Sequence, residues 1–170
     1  MKEGTAPSIG VIRSQIAEIT YRIAQIASTG SQPGDSRKWA ERFAAELNKR
    51  YRLSNEELCE RMKEVLNSLG LTEDKLEELQ KLFLERCALS LEIARLKAKQ
   101  ATRLPKDRGE LTRFVRRRDV EEGLVAEVLQ KMDPDVPADR RTTITDFLGL
   151  MFEISRELQI IHLSEDGIDG

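Results

Sequence analysis

The chain has 170 residues, enough for one principal domain with a worthwhile core but too few for two full-sized ones. Charged residues make up 34%, apolar residues 39% and aromatics only 5%, the profile of a helical protein; a net charge of −2 argues against broad nucleic-acid binding but leaves room for a local cationic pocket. Cys59 and Cys87 have neither CxxC spacing nor a neighbouring histidine, and no segment approaches the roughly 18 apolar residues of a membrane span, so a cytoplasmic protein without zinc, disulfide framework or membrane anchor is expected.

Isoleucines at 9, 12, 16, 19, 23 and 26 recur every three or four residues and draw one apolar stripe along a first helix, with Arg13 flanking it. The Ser, Gly and Pro of 28–36 interrupt that helix, and Asp35 or Ser36 is placed to cap the next. Trp39, Phe43 and Leu47 share a face of a second helix reaching about Tyr51. Ser54 followed by Glu57 resembles a capping box for a third, which runs through Leu58, Met62, Val65 and Leu69 to Gly70.

The longest pattern follows. From about Glu73 to Gln100, Leu76, Leu79, Leu82, Phe83, Leu89, Ile93 and Leu96 keep helical spacing. Arg86 and Lys97 are eleven residues apart, which at 100° per residue returns them to within about 20° of one another, so both face one site.

Pro105 breaks this helix. The next begins near Asp107, with a long polar first half, or near Asp119, where an acidic cap suits a helix N-terminus; the second start is preferred for the part that packs, through Leu124, Val125 and Val128. After the proline-containing turn at 133–141, Ile144, Phe147, Leu148, Met151, Ile154, Leu158 and Ile161 form a last amphipathic helix. On it Ser155 and Gln159 lie one above the other beside the apolar stripe. His162, the only histidine, reads as a helix-end packing residue, and no strand pattern is present.

Taken together, IGVIRSQIAEITYRIAQI, LFLERCALSLEIARLK and FLGLMFEISRELQ resemble the three landmarks of the all-helical chorismate mutases. That family has an IR-x-x-I pattern in its first helix, an ER followed eleven residues later by Lys, and Ser and Gln four apart in its final helix. These fall here on Arg13, Arg86, Lys97, Ser155 and Gln159. The resemblance implies an all-α bundle, residues 1–170 as a single domain, with 28–72 a helical insertion that divides the first helix and adds two helices. The family's dimer lends an arginine from the partner's first helix. The divided helix leaves two arrangements open for Arg13, on its own chain or in a partner, and either a homodimer or an insertion-altered assembly.

The family's Arg-Glu pair near the start of its second helix is incomplete here. Glu121 fits the helix pattern but Val120 stands where the arginine would be, while counting without gaps from Lys97 selects Glu110. The arginines at 116–118 are candidates for the missing cation.

The resemblance implies the Claisen rearrangement of chorismate to prephenate in phenylalanine and tyrosine biosynthesis, an intramolecular isomerisation needing no cofactor or metal. Arg13 and Arg86, assisted by Ser155, would clamp the two carboxylates of the substrate. Lys97 and Gln159 would donate to its ether oxygen, and Glu121, or Glu110, would accept from its hydroxyl. Two alternatives share the scaffold: a non-catalytic interaction or regulatory module, and a lyase releasing pyruvate from isochorismate.

Overall fold

The computed structural model describes residues 8–30, 36–115 and 118–164, side chains at 118–120 excepted. Seven helices account for most of it: α1 (Ile9–Ser28), α2 (Arg37–Tyr51), α3 (Glu56–Leu69), α4 (Glu73–Gln100), α5 (Arg108–Val115), α6 (Arg118–Lys131) and α7 (Ala138–Leu163). The described residues contain no strand, so the fold is all-α. Among them no helix is long and apolar enough to cross a membrane.

The isoleucine stripe builds α1 as its spacing demands. Ser8 caps the helix by accepting from the Val11 N–H at 3.2 Å, and Ile12, Ile16, Ile19 and Ile23 are buried. The helix ends where the Thr29 N–H and hydroxyl both return to the Ile26 carbonyl. Gly30 follows against the Leu69 carbonyl oxygen, which any Cβ would strike. Arg140 Nη1 donates to that same oxygen at 2.5 Å. The end of α1, the end of α3 and the first turn of α7 are thereby tied together.

α2 and α3 pack on each other and contribute to the main core. Trp39, Ala40, Phe43 and Leu47 of α2 are buried with Leu58, Met62, Leu66 and Leu69 of α3, and the aromatic contacts continue from Trp39 to Phe43, to Phe83 of α4 and to Phe147 of α7, with centroids 5.2–6.3 Å apart. Two expected caps differ. Asp35 lies outside the described residues, and Ser36 makes no side-chain cap; its N–H donates instead to Asn67 Oδ1 at 3.3 Å. The capping box on Ser54 is displaced by one residue, because Asn55 reaches the Leu58 N–H with its own Oδ1 at 3.2 Å, leaving Glu56 and Glu57 in the favourable first turn. Gly70, at φ 61°, ends α3 in the left-handed conformation suited to glycine.

α1 packs antiparallel on α4: Thr20 meets Arg86, whereas Ile12 and Ile16, earlier in α1, pack on Ile93, later in α4. α7 packs against both, and against α3 and α5. The choice between starts at 107 and 119 resolves into two helices. Asp107 Oδ1 accepts from the Glu110 N–H at 2.8 Å to open α5, and α6 starts at Arg118. The stretch expected to be a polar first half carries core residues of its own, Leu111 and Val115, buried with Ala94, Ile160 and Leu163. Arg141 then stitches the end of α6 to the start of α7 by donating to the carbonyls of Leu129, Asp133 and Val136.

Candidate functional site

Between α1, α4, α6 and α7 lies a cavity of about 460 Å³, within the range of small-molecule sites. Six residues singled out from the sequence line it: Arg13 from α1, Arg86 and Lys97 from α4, Glu121 from α6, and Ser155 and Gln159 from α7. Arg13 reaches it on its own chain, because the antiparallel return of α1 sets the first two turns of that helix beside the last turns of α4.

Arg86 is the centre of the site. It is only 5% exposed, yet its guanidinium is held by neutral oxygens: Nε donates to Thr20 Oγ1 at 2.9 Å and Nη1 to Ser155 Oγ at 2.7 Å. Its carbon lies 5.0 Å from the centroid of the Phe152 ring. No carboxylate among the described residues is within ion-pair distance of it. Burial lowers its pKa to about 10, against the opposing effects of Cys87 and Glu121, so it stays charged at neutral pH. A buried cation without a paired anion is costly to the free protein and well suited to an anionic ligand. The adjacent Cys87 offers no nucleophile, since burial pushes its thiol up to about 12.

Around Arg86 the donors are ordered by the backbone. Lys97 Nζ donates to the Phe114 carbonyl at 2.5 Å and lies 4.8 Å from the centroid of the Phe114 ring, tying α4 to α5. Gln159 Nε2 donates to the Ser90 carbonyl at 2.8 Å, which fixes the amide across the α4–α7 contact and leaves a second N–H on the same nitrogen for a ligand. Thr20 is buried and donates its own proton to the Ile16 carbonyl at 2.6 Å, so its lone pairs face Arg86.

The two glutamate candidates separate clearly. Glu121 lines the cavity and accepts from Arg156 Nη1. Glu110 sits at the start of α5, where it accepts from Arg103 at 3.3 Å and from the Lys106 N–H at 2.8 Å, and is not part of the lining. Arg116, Arg117 and the side chain of Arg118, the candidates for a missing cation, lie outside the described residues.

Three lining or supporting residues had no part in the expectations. Arg156 and Phe152 follow the i, i+3, i+4, i+7 rhythm of Phe152, Ser155, Arg156 and Gln159, a single face of α7. Thr20 carried a signal of its own: it is the polar residue inside the isoleucine stripe, one turn after Ile16. A second, more open groove of about 870 Å³ runs between α3, α6 and α7 and shares Glu121, Phe152 and Arg156 with the inner cavity.

The lining thus offers the buried guanidinium of Arg86, two further arginines, an ammonium, an amide, the hydroxyls of Ser90 and Ser155 and the two glutamates Glu121 and Glu127, a set that can bind and orient a compact polyanion bearing a hydroxyl. Compared with protein-family models, with curated proteins and with solved structures, the chain finds no match.

Proposed function

We propose that the chain is a chorismate mutase of the all-helical type, in which an insertion between the halves of the first helix lets one chain supply both arginines of the site. The observation that carries the reading is Arg86, buried and charged, held by two hydroxyls and, among the described residues, by no carboxylate, at the wall of a cavity that also receives Arg13, Lys97, Glu121, Ser155 and Gln159.

In this reading Arg86 and Arg13 bind the substrate carboxylates, Ser155 supporting the first. They hold the side chain over the ring in the compact conformer from which the carbon–carbon bond forms. As that bond forms and the ether carbon–oxygen bond breaks, negative charge grows on the ether oxygen. Lys97 and the remaining N–H of Gln159 donate to it more strongly in the transition state than in the ground state, which is what accelerates the step. Glu121 accepts from the ring hydroxyl. No proton is transferred and no covalent intermediate forms.

Purified protein incubated with chorismate is expected to consume it and form prephenate without releasing pyruvate. Pyruvate in the product mixture reassigns the site to elimination, and a failure both to turn over chorismate and to bind a transition-state analogue sinks the enzymatic reading. One observation favours a binding module on the same scaffold: Lys97 and Gln159, the donors assigned to the ether oxygen, both already donate to carbonyls of the chain, Phe114 and Ser90. In a binding module the analogue binds and chorismate persists.

A further inference from the structure

Arg156 has no role in the mechanism above, yet with Glu121 it makes the most enclosed ion pair of the described residues, the two side chains being 22% and 21% exposed. Every other described pair has one partner at least 44% exposed. The pair joins α6 to α7 and forms a common wall of the inner cavity and the outer groove.

Its position creates an electrostatic problem. Glu121 lines the cavity that holds Arg86, and its charge opposes, as the smallest of the effects on that guanidinium, the lowering that burial imposes. Among the described residues the hydrogen-bond partners of Arg86 are the hydroxyls of Thr20 and Ser155, with the Phe152 ring beside it. In a half-buried cavity opposite charges attract far more strongly than in water, and a glutamate side chain has the rotational freedom to swing toward the nearest cation that lacks an anion. A Glu121–Arg86 pair would cancel the charge that an incoming anion needs.

We infer that Arg156 is a positioning residue that prevents this collapse: by holding Glu121 on the α7 side of the cavity, it keeps Arg86 available for an anionic ligand and sets the net charge of the pocket. This rests on the reading of the cavity as a dicarboxylate site. Arg156 acts through Glu121, not on the ligand, and that makes a signed prediction for the double variant.

Calorimetric titration with a rigid bicyclic dicarboxylate shaped like the rearranging substrate supplies the first readout. R156Q is expected to weaken binding about tenfold, whereas R156Q/E121Q binds within about threefold of E121Q alone, because the carboxylate that Arg156 holds is gone and Glu127, the other glutamate of the lining, is paired with Lys131. R156K, which keeps the cation, stays near the wild type. A double variant as weak as R156Q means that Arg156 contacts the ligand itself, and unchanged binding in R156Q means that Glu121 needs no restraint; either result overturns the inference. The second readout needs no ligand: the Nε–H resonance of Arg86 in the free protein should shift in R156Q and return in R156Q/E121Q. A resonance unmoved by R156Q overturns the inference as well. If the wild type binds no dicarboxylate, the proposed function falls, and the Arg86 resonance decides the restraint by itself. R156M, which keeps the aliphatic stem, replaces R156Q in both measurements if thermal melting shows R156Q to be unfolded.

Discussion

Phe83 and Arg86 lie less than one turn apart on α4, and both are buried. Phe83 stands edge-on to Phe43 with ring centroids 5.2 Å apart, next to Phe147, in the part of the core that α2 and α3 complete. Arg86 turns toward α1 and α7 and meets two hydroxyls at the wall of a cavity. Burial of the phenylalanine is favourable by itself, roughly in proportion to the apolar area removed from water. Burial of the guanidinium is unfavourable unless an anion compensates it, and the chain supplies none at ion-pair distance among the described residues. One face of α4 therefore stabilises the fold while the neighbouring face draws on that stability to hold a ligand-ready charge.

The comparison can be broken first on its apolar side. Phe43→Ala removes the ring that links Trp39 to Phe83, and a buried Phe→Ala change costs about 3–5 kcal/mol. Measured against the roughly 5–15 kcal/mol of a typical domain, this should move the urea midpoint far down without changing the rate per folded molecule. A loss below about 1 kcal/mol would show that α2 is not integral to the core.

On the polar side the order of effects reverses. Lys97→Ala is expected to lower kcat by about 10²–10³, or about 2.7–4 kcal/mol of barrier, the usual cost of removing one donor to a developing oxyanion. Its effect on folding is no larger, since the bond of the half-buried ammonium to the Phe114 carbonyl is, as a hydrogen bond of a charged group, worth about 1.5–3 kcal/mol. Parallel measurement of turnover and urea unfolding checks the split. A variant that loses stability and keeps its rate removes Lys97 from the chemistry.

How much of this was legible in the sequence follows the same division. Helical periodicity depends on local spacing alone, so the long stripes of α1, α4 and α7 were readable, as was the return of Arg86 and Lys97 to one face after eleven residues. Features decided by partners distant in the chain were not. Leu111 and Val115 sit in a cation-rich stretch that looked solvated, and only the arrival of Ala94 and Leu163 makes them core. The cap of α3 turned on one residue, because Asn55 and Ser54 carry equivalent acceptors and only backbone geometry chooses between them. Arg156 sat unnoticed beside Ser155, its partner Glu121 being 35 residues away. Arg13 was identified by its motif, but its place beside Arg86 and Lys97 depends on the antiparallel packing of α1 on α4, whose partners Thr20 and Arg86 lie 66 residues apart.

Thr20 offers the finest test, because it belongs to both sides: a residue of the apolar stripe by position and a ligand of Arg86 by chemistry. Thr20→Val keeps the shape and removes the acceptor, leaving the Arg86 Nε–H buried without a partner, which costs about 1–3 kcal/mol. It also frees the guanidinium to turn about its remaining bond to Ser155, so the carboxylate it should meet is met less often. KM for chorismate is therefore expected to rise more than kcat falls, since the interaction lost is made in the ground state and the transition state alike. Thr20→Ser, which restores the hydroxyl but not the methyl group, should recover KM while regaining only part of the stability. Full recovery of both would assign the whole effect to the oxygen and none to packing of the methyl group, and recovery of neither would mean that the hydroxyl alone does not hold Arg86 in place.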